Sequence, residues 1–295
     1  MKRYIFIGAG LILLFSGALF AWKVFSVREM ADTSASGTYL GNYLWSGTIT
    51  LTGDVSILGN LTVSPGAVIR FAEGDDQGGG DEVPADGYND HDPTRLLSYG
   101  KTHVQLFVMR KLMAMGTEAR PATFTSAAGK PNYADWGSVV FQGDGSIIDH
   151  VIVEYSRNGL NPAGSQPRSI IRNSTVRHTL WGAVSSSDSD ISVLNNHLYD
   201  CGHEGVDVQK GAQIVRDNLI EDCHAGIVIL SGDAVVEGNT IKNCGDGIHV
   251  DAAAHPRLSN NTVVPARESQ NHPYTYQNFS YYLFDAPTVQ PAAKN

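Results

Sequence analysis

The chain has 295 residues, 42% of them hydrophobic and 17% charged, with 31 glycines and a formal net charge of −9. That is enough apolar material for one large core, and the richness in Gly, Asn, Ser, Thr and Asp favours short strands and turns over long helices. Glu73, Asp75, Asp76, Asp81, Glu82, Asp86, Asp90 and Asp92 hold eight of the nine excess charges, so the rest is near neutral and lacks the basic groove that nucleic acid requires.

Met1, Lys2 and Arg3 precede an uncharged apolar run from Tyr4 to Trp22. Cations before such a run keep its N-terminus inside and send the rest of the chain across, so residues 1–22 are expected to be a transmembrane or signal helix. The run is near the lower limit of about 17 residues for a span and longer than the roughly 7 to 15 of a signal-peptide core. An uncleaved anchor and a cleaved signal both fit, and both place the protein outside the cytoplasm, in the cell membrane, the periplasm or at the surface. Residues 23–44 read as a linker.

Period-two alternation begins near residue 45, in Thr48-Ile49-Thr50-Leu51, Val55-Ser56-Ile57-Leu58 and Leu61-Thr62-Val63. Residues 73–100 break it and read as an acidic insertion between coils. Asp86, Asp90, Asp92 and Asn89 offer clustered hard oxygen ligands suited to calcium, although neither the spacing nor the closing Glu of an EF-hand is present. A solvated loop kept open by self-repulsion is the alternative. No other cofactor is indicated.

The downstream half repeats. Asn173, Asn196, Asn218, Asn239 and Asn261 recur every 21 to 23 residues, and Gly159, Gly182, Gly205, Gly226 and Gly247 keep nearly the same step. A unit of this length, with short strands parted by Gly and Asn, closes one coil of a parallel β solenoid whose coils lie about 4.8 Å apart. The Asn residues are expected at left-handed turns, bonded to their counterparts in the next coil. The register sends Thr175, Leu198, Ile220, Ile241 and Val263, with Leu160, Ala183, Val206, Ile227 and Ile248, into the core. His178, Cys201, Cys223 and Cys244 form a further column, with Tyr155 in phase. The cysteines are read as small buried thiols packed as apolar residues, and disulfides or a Cys and His metal ladder are the alternatives. Residues 265–295, with Tyr274, Tyr276, Phe279, Tyr281, Tyr282 and Phe284, read as an aromatic cap over the open end, in preference to a sugar-stacking platform.

Several motifs carry a family resemblance: Gly59-Asn60-Leu61-Thr62-Val63-Ser64-Pro65-Gly66-Ala67-Val68-Ile69-Arg70-Phe71, Leu112-Met113-Ala114-Met115-Gly116-Thr117, Trp136-Gly137-Ser138-Val139-Val140-Phe141 and Ile148-Asp149-His150-Val151-Ile152-Val153-Glu154-Tyr155-Ser156. With them, residues 45–264 resemble right-handed parallel β-helix repeat proteins of the pectate-lyase-like superfamily. The resemblance implies an all-β, single-stranded right-handed parallel β-helix that is secreted or surface-exposed, often carbohydrate-associated, and in many members without an assigned reaction.

One strip beside the Gly column gathers titratable groups. His203, Glu204 and Asp207 belong to one coil, Asp222 and His224 to the next, and Asp246, His249 and Asp251 to the third. Asp207 with His249, and Glu204 with Asp246, fall two coils apart, about 9 to 10 Å, near the upper end of the carboxylate separation in inverting glycosidases. His203, Glu204, His224, Asp207, Asp246 and His249 are therefore the candidate catalytic set, on positions expected to face outward. Outward faces of solenoids are polar for solubility alone, which is the competing explanation. Two functions follow: a β-helix that binds a polysaccharide or cell-surface glycan, and as an enzyme would be a polysaccharide lyase or glycoside hydrolase; or a non-catalytic structural or adhesive solenoid presenting loops to a protein partner.

Overall fold

A computed structural model describes residues 26–73, 103–186 and 188–265. The N-terminal apolar run, the acidic insertion from residue 74 with Asp86, Asn89, Asp90 and Asp92, and the aromatic segment after residue 265 lie outside the described residues. Among those described, no helix is long and apolar enough to cross a membrane.

Among the described residues every strand ladder is parallel. Each coil contributes one strand to each of three faces, and the strand-to-strand backbone hydrogen bonds run between coils, while turn bonds such as Ser169 N–H to the Gln166 carbonyl close within a coil. The first face stacks strands such as Leu61–Val63, Leu112–Met115, Ile147–Asp149, Ile170–Arg172 and Ser192–Leu194. The second stacks Val68–Phe71, Ala122–Ser126, Val151–Glu154 and Thr175–Thr179, and the third Leu106–Val108, Val139–Phe141 and Leu160–Pro162. Further down, His197–Val208 and Leu219–Ile229 each run through the corner between the second and third faces as one continuous strand.

The alternation read from the sequence sets the core. One column on each face is wholly buried: Trp45, Val63, Ala114, Ile148, Ile171 and Val193 on the first, Ile49, Ile69, Phe124 and Val153 on the second, Leu106, Val139, Leu160 and Val184 on the third. Phe71 lies flat on Trp136 at 3.8 Å between ring centroids. Each of the larger side chains contributes about 1.5–3 kcal/mol by leaving water, and a one-residue slip would expose a whole column.

A ladder of side-chain amides ties the coils together. Asn196 Nδ2 donates to Asn218 Oδ1 at 3.0 Å, Asn218 Nδ2 to Asn239 Oδ1 at 2.9 Å, and Asn239 Nδ2 to Asn261 Oδ1 at 2.9 Å. Each Nδ2 also donates to a main-chain carbonyl, that of Ile171, Val193 or Val215, while the backbone N–H of Asn196, Asn218 and Asn239 donates to the next Oδ1. The first rung is Ser174, whose N–H donates to Asn196 Oδ1 at 3.0 Å, and not Asn173. Asn173 instead pairs with Asn195 on the outside. The left-handed residues also sit one position before the ladder, at Asn173, Asn195, Asp217, Gly238 and Asn260. This shift makes Val176, rather than Thr175, the inward residue of its coil.

Two other expectations change. Val27–Tyr39, within the stretch expected to be linker, is a strand paired along its length with Asn42–Ile57, although only Ala35 of it is buried. Val68–Phe71 lies on the second face and Leu106–Val108 on the third, both paired with Asn42–Ile57, so the acidic segment falls within one coil instead of between two. Period-two alternation shows that a strand exists and does not show which face it joins.

Asn218 is 1% exposed and occupied on every polar atom. Asn218→Ala strands the partners of several bonds and is expected to lower stability by about 2–4 kcal/mol in urea unfolding; a loss under about 1 kcal/mol would show that the amide ladder contributes little. A Cβ on Gly226 would lie 2.5 Å from the Gly247 carbonyl oxygen and 2.6 Å from Ile241 Cγ2, whereas one on Gly129 would meet nothing within 4 Å. Gly226→Ala is expected to cost about 1–3 kcal/mol and Gly129→Ala under about 0.5 kcal/mol in the same assay.

Candidate functional site

The corner between the second and third faces gathers most of the chemistry. Its turn is made by left-handed residues, Tyr155, His178, Asp200, Asp222 and Asn243, one in each successive coil. His178 therefore belongs to this corner column, and Thr179 takes the place above Cys201 that the sequence spacing assigned to His178. Beyond the corner the strand Cys201–Glu204 has one more residue than its partner Cys223–Ala225, a β-bulge at Gly202 and His203. Bulges re-aim side chains, and here His203 lies beneath Trp181, with ring centroids 5.0 Å apart, and 5.5 Å from the His224 ring.

The expected strip is real in register and different in exposure. Glu204, Ala225 and Asp246 share one column, and Asp207, Val228 and His249 share another, as the spacing requires. His203 is 0% exposed, Glu204 3%, Asp207 5%, His224 8% and His249 7%, and only Asp246 is half-buried. These side chains do not form an open polar surface. Trp181 stacks over His203 where the bulge turns that ring, and period alone carries no information about what lies over a column.

Burial governs their protonation. His203 Nδ1 contacts Glu204 Oε1, and Gln209 Nε2 donates to Asp207 Oδ2 at 2.9 Å. Burial, then the Glu204 charge, pushes the Asp207 carboxyl up to about 8, so it holds a proton at neutral pH. Burial, then the His203 charge, lowers His224 to about 4. Burial also raises Asp246 and lowers His249. Glu204 Oε2, Asp207 Oδ1 and Ser185 Oγ are buried without a hydrogen-bond partner, and Ser185 is the register partner of Asp207. A neutral carboxylic acid beside a second carboxyl and imidazoles is an arrangement that can donate and accept protons. Among the described residues no group of three or more His, Cys, Asp or Glu is placed to hold a metal ion.

On the other side of the same corner stands a half-buried aromatic cluster that the sequence reading missed. Tyr133 donates its hydroxyl to Asp200 Oδ2 at 2.6 Å, and His178 Nδ1 contacts the same oxygen. Tyr155 stacks on His178 at 5.1 Å, Tyr199 meets it edge-on at 5.9 Å, and His197 lies 4.5 Å from Tyr199. Arg177 donates to Glu154 at 2.7–2.8 Å and to the Tyr199 hydroxyl at 2.8 Å. The recurrence of His178, Asp200 and Asp222 at the coil step could have exposed the corner column. Tyr133 lies on the connection after Ala122–Ser126, where no period applies.

The signs of these shifts fix a pH dependence. Unfolded Asp207 releases its proton near 3.8 and the folded form near 8, so its contribution to stability is fully present below 3.8 and is lost as pH rises through 8. Buried His224 acts oppositely and costs stability below its ordinary 6.5. Stability is therefore expected to be flat from weakly acidic pH to about 6.5, where the two effects offset, then to fall by on the order of 1–2 kcal/mol toward alkaline pH. Asp207→Asn should remove the alkaline fall in urea titrations, and a fall that persists in that variant would contradict the assignment.

Residues 136–276 match the family described as right handed beta helix region. No curated protein and no solved structure gave a match to the chain. The matched segment covers the lower coils and their amide ladder, and the same parallel register continues above it to residue 27. The chain is a right-handed parallel β-helix repeat protein.

Proposed function

We propose that the β-helix is exported, held at a membrane by its N-terminal apolar run, and binds an extended polysaccharide along the corner between its second and third faces. The observation that carries this reading is the half-buried cluster of Tyr133, Tyr155, His178 and Tyr199, fixed by Asp200 and by the Arg177–Glu154 pair. Rings with one apolar face and a polar tip suit sugar rings, which present C–H faces and hydroxyl edges. Parallel coils repeat such contacts at a fixed rise, which suits a polymer more than a single small molecule. Lys2 and Arg3 before the apolar run support the export part of the proposal.

Turnover is a second reading, favoured by the protonated Asp207 beside Glu204 and by the unpartnered Glu204 Oε2 and Asp207 Oδ1. Glu204 and Asp207, with His203, His224, Asp246 and His249, would supply proton transfer for a glycoside hydrolase or polysaccharide lyase. The near-complete burial of all of these but Asp246 favours binding without cleavage, the reading shared with a non-catalytic adhesive solenoid.

A glycan array probed with the full chain is expected to show binding to extended polysaccharides. Tyr155→Ala with Tyr199→Ala should weaken it by about tenfold or more, while Tyr133→Phe, which keeps the ring, should weaken it far less. Binding unchanged in the double variant would reject the corner as the site. Reducing-sugar and unsaturated-product assays on the bound glycans separate the two readings, since turnover abolished by Asp207→Asn with binding retained establishes catalysis.

A further inference from the structure

The three cysteines stand in one column inside the core. Cys201 and Cys223 are register partners on adjacent coils, and continuing the register from Glu221 and Lys242 by two residues sets Cys244 beside Cys223. All three are free and buried. Each Sγ points toward the carbonyl two residues earlier in its own coil, Tyr199 at 3.6 Å, Glu221 at 3.3 Å and Lys242 at 3.4 Å, so the three side chains share one orientation. Thr179 precedes the column and Pro265 follows it, so the thiols form an isolated run of three.

Neighbouring coils are about 4.8 Å apart, inside the Cα range of disulfides, whereas Cys201 and Cys244 are about 9.6 Å apart, beyond the roughly 7 Å limit. We propose that the column is a disulfide site with Cys223 as its obligatory member, bridging Cys201–Cys223 or Cys223–Cys244, one at a time, and never Cys201–Cys244. The bridge cross-links two coils at the corner beside the aromatic cluster, so it is a covalent modification of the scaffold that holds that cluster.

The chemistry is thiol–disulfide exchange with a small disulfide such as oxidised glutathione. One cysteine thiolate attacks it and releases one glutathione thiol, and the neighbouring thiolate then displaces the second. Two protein thiols lose two protons and two electrons, and the small disulfide leaves as two thiols. Burial, with the two neighbouring sulfurs, raises the Cys223 thiol well above its ordinary value, so thiolate is scarce and the reaction is slow at neutral pH and faster in mild alkali.

The test incubates the reduced, folded full chain with oxidised glutathione in mild alkali, then quenches with acid, unfolds, alkylates and counts thiols by mass. Arg216 and Lys242 separate the three cysteines, so tryptic peptides identify the bridge. Alkylatable thiols are expected to fall from three to one, with bridges only between Cys223 and a neighbour. Cys201→Ala and Cys244→Ala should each fall from two to none, and Cys223→Ala should keep two without an internal bridge. A Cys201–Cys244 bridge, an internal bridge in Cys223→Ala, glutathione adducts alone, or three thiols persisting in the folded chain would each overturn the proposal. If a variant fails to show the strand spectrum of the parent, the bridge map of the unsubstituted chain decides alone.

Discussion

Parallel, in-register stacking of coils is the constraint on which the rest of the structure depends. Among the described residues a strand finds its hydrogen-bond partner in the coil above or below, so no coil is satisfied alone and each is positioned by its neighbours. The backbone bonds set the rise, and the side-chain amides of Asn196, Asn218, Asn239 and Asn261 set the phase. A slipped coil would break an inward amide chain and expose an apolar column at once, so the two interactions enforce the same register.

That register turns distant residues into neighbours and decides what chemistry is available. At the corner between the second and third faces, left-handed backbone recurs coil after coil. The bulge at Gly202 and His203 interrupts the repeat and sends the His203 imidazole beneath Trp181, beside His224 and Glu204. Desolvation then does what a polar surface could not, keeping Asp207 protonated and His224 neutral. The aromatic cluster across the corner stays half-buried because Asp200 and Arg177 anchor its hydroxyl and imidazole groups while leaving the rings accessible. One corner thus carries a half-buried aromatic cluster and a withdrawn cluster of titratable groups.

Much of the fold was legible because a solenoid writes its geometry as a period. The step between Asn196, Asn218 and Asn239 is the coil length, and the inward columns through Val206, Ile227 and Ile248 follow from it. The phase at Asn173 is not legible to within one residue, because Asn173 and Ser174 are both turn-compatible and only the identity of the bonded partner separates them. The pairing of Asp207 with His249 across two coils was legible for the same reason as the core, whereas their burial was not, since a repeat period does not encode what lies over a column. Tyr133 reaches Asp200 across 67 residues from a connection with no period, a contact that only the folded chain reveals.

The stacking itself is tested most directly by a distance. Arg172 and Ser259 are exposed first-face residues in one column, joined through Leu194, Arg216 and Glu237. Spin labels on Arg172→Cys and Ser259→Cys, with the three native cysteines replaced by Ala, should report in pulsed electron resonance a narrow distribution consistent with backbone sites about 19 Å apart, the rise of four coils. A broad distribution, or a mean far beyond that rise, would contradict in-register stacking and with it the corner on which the proposed binding site depends.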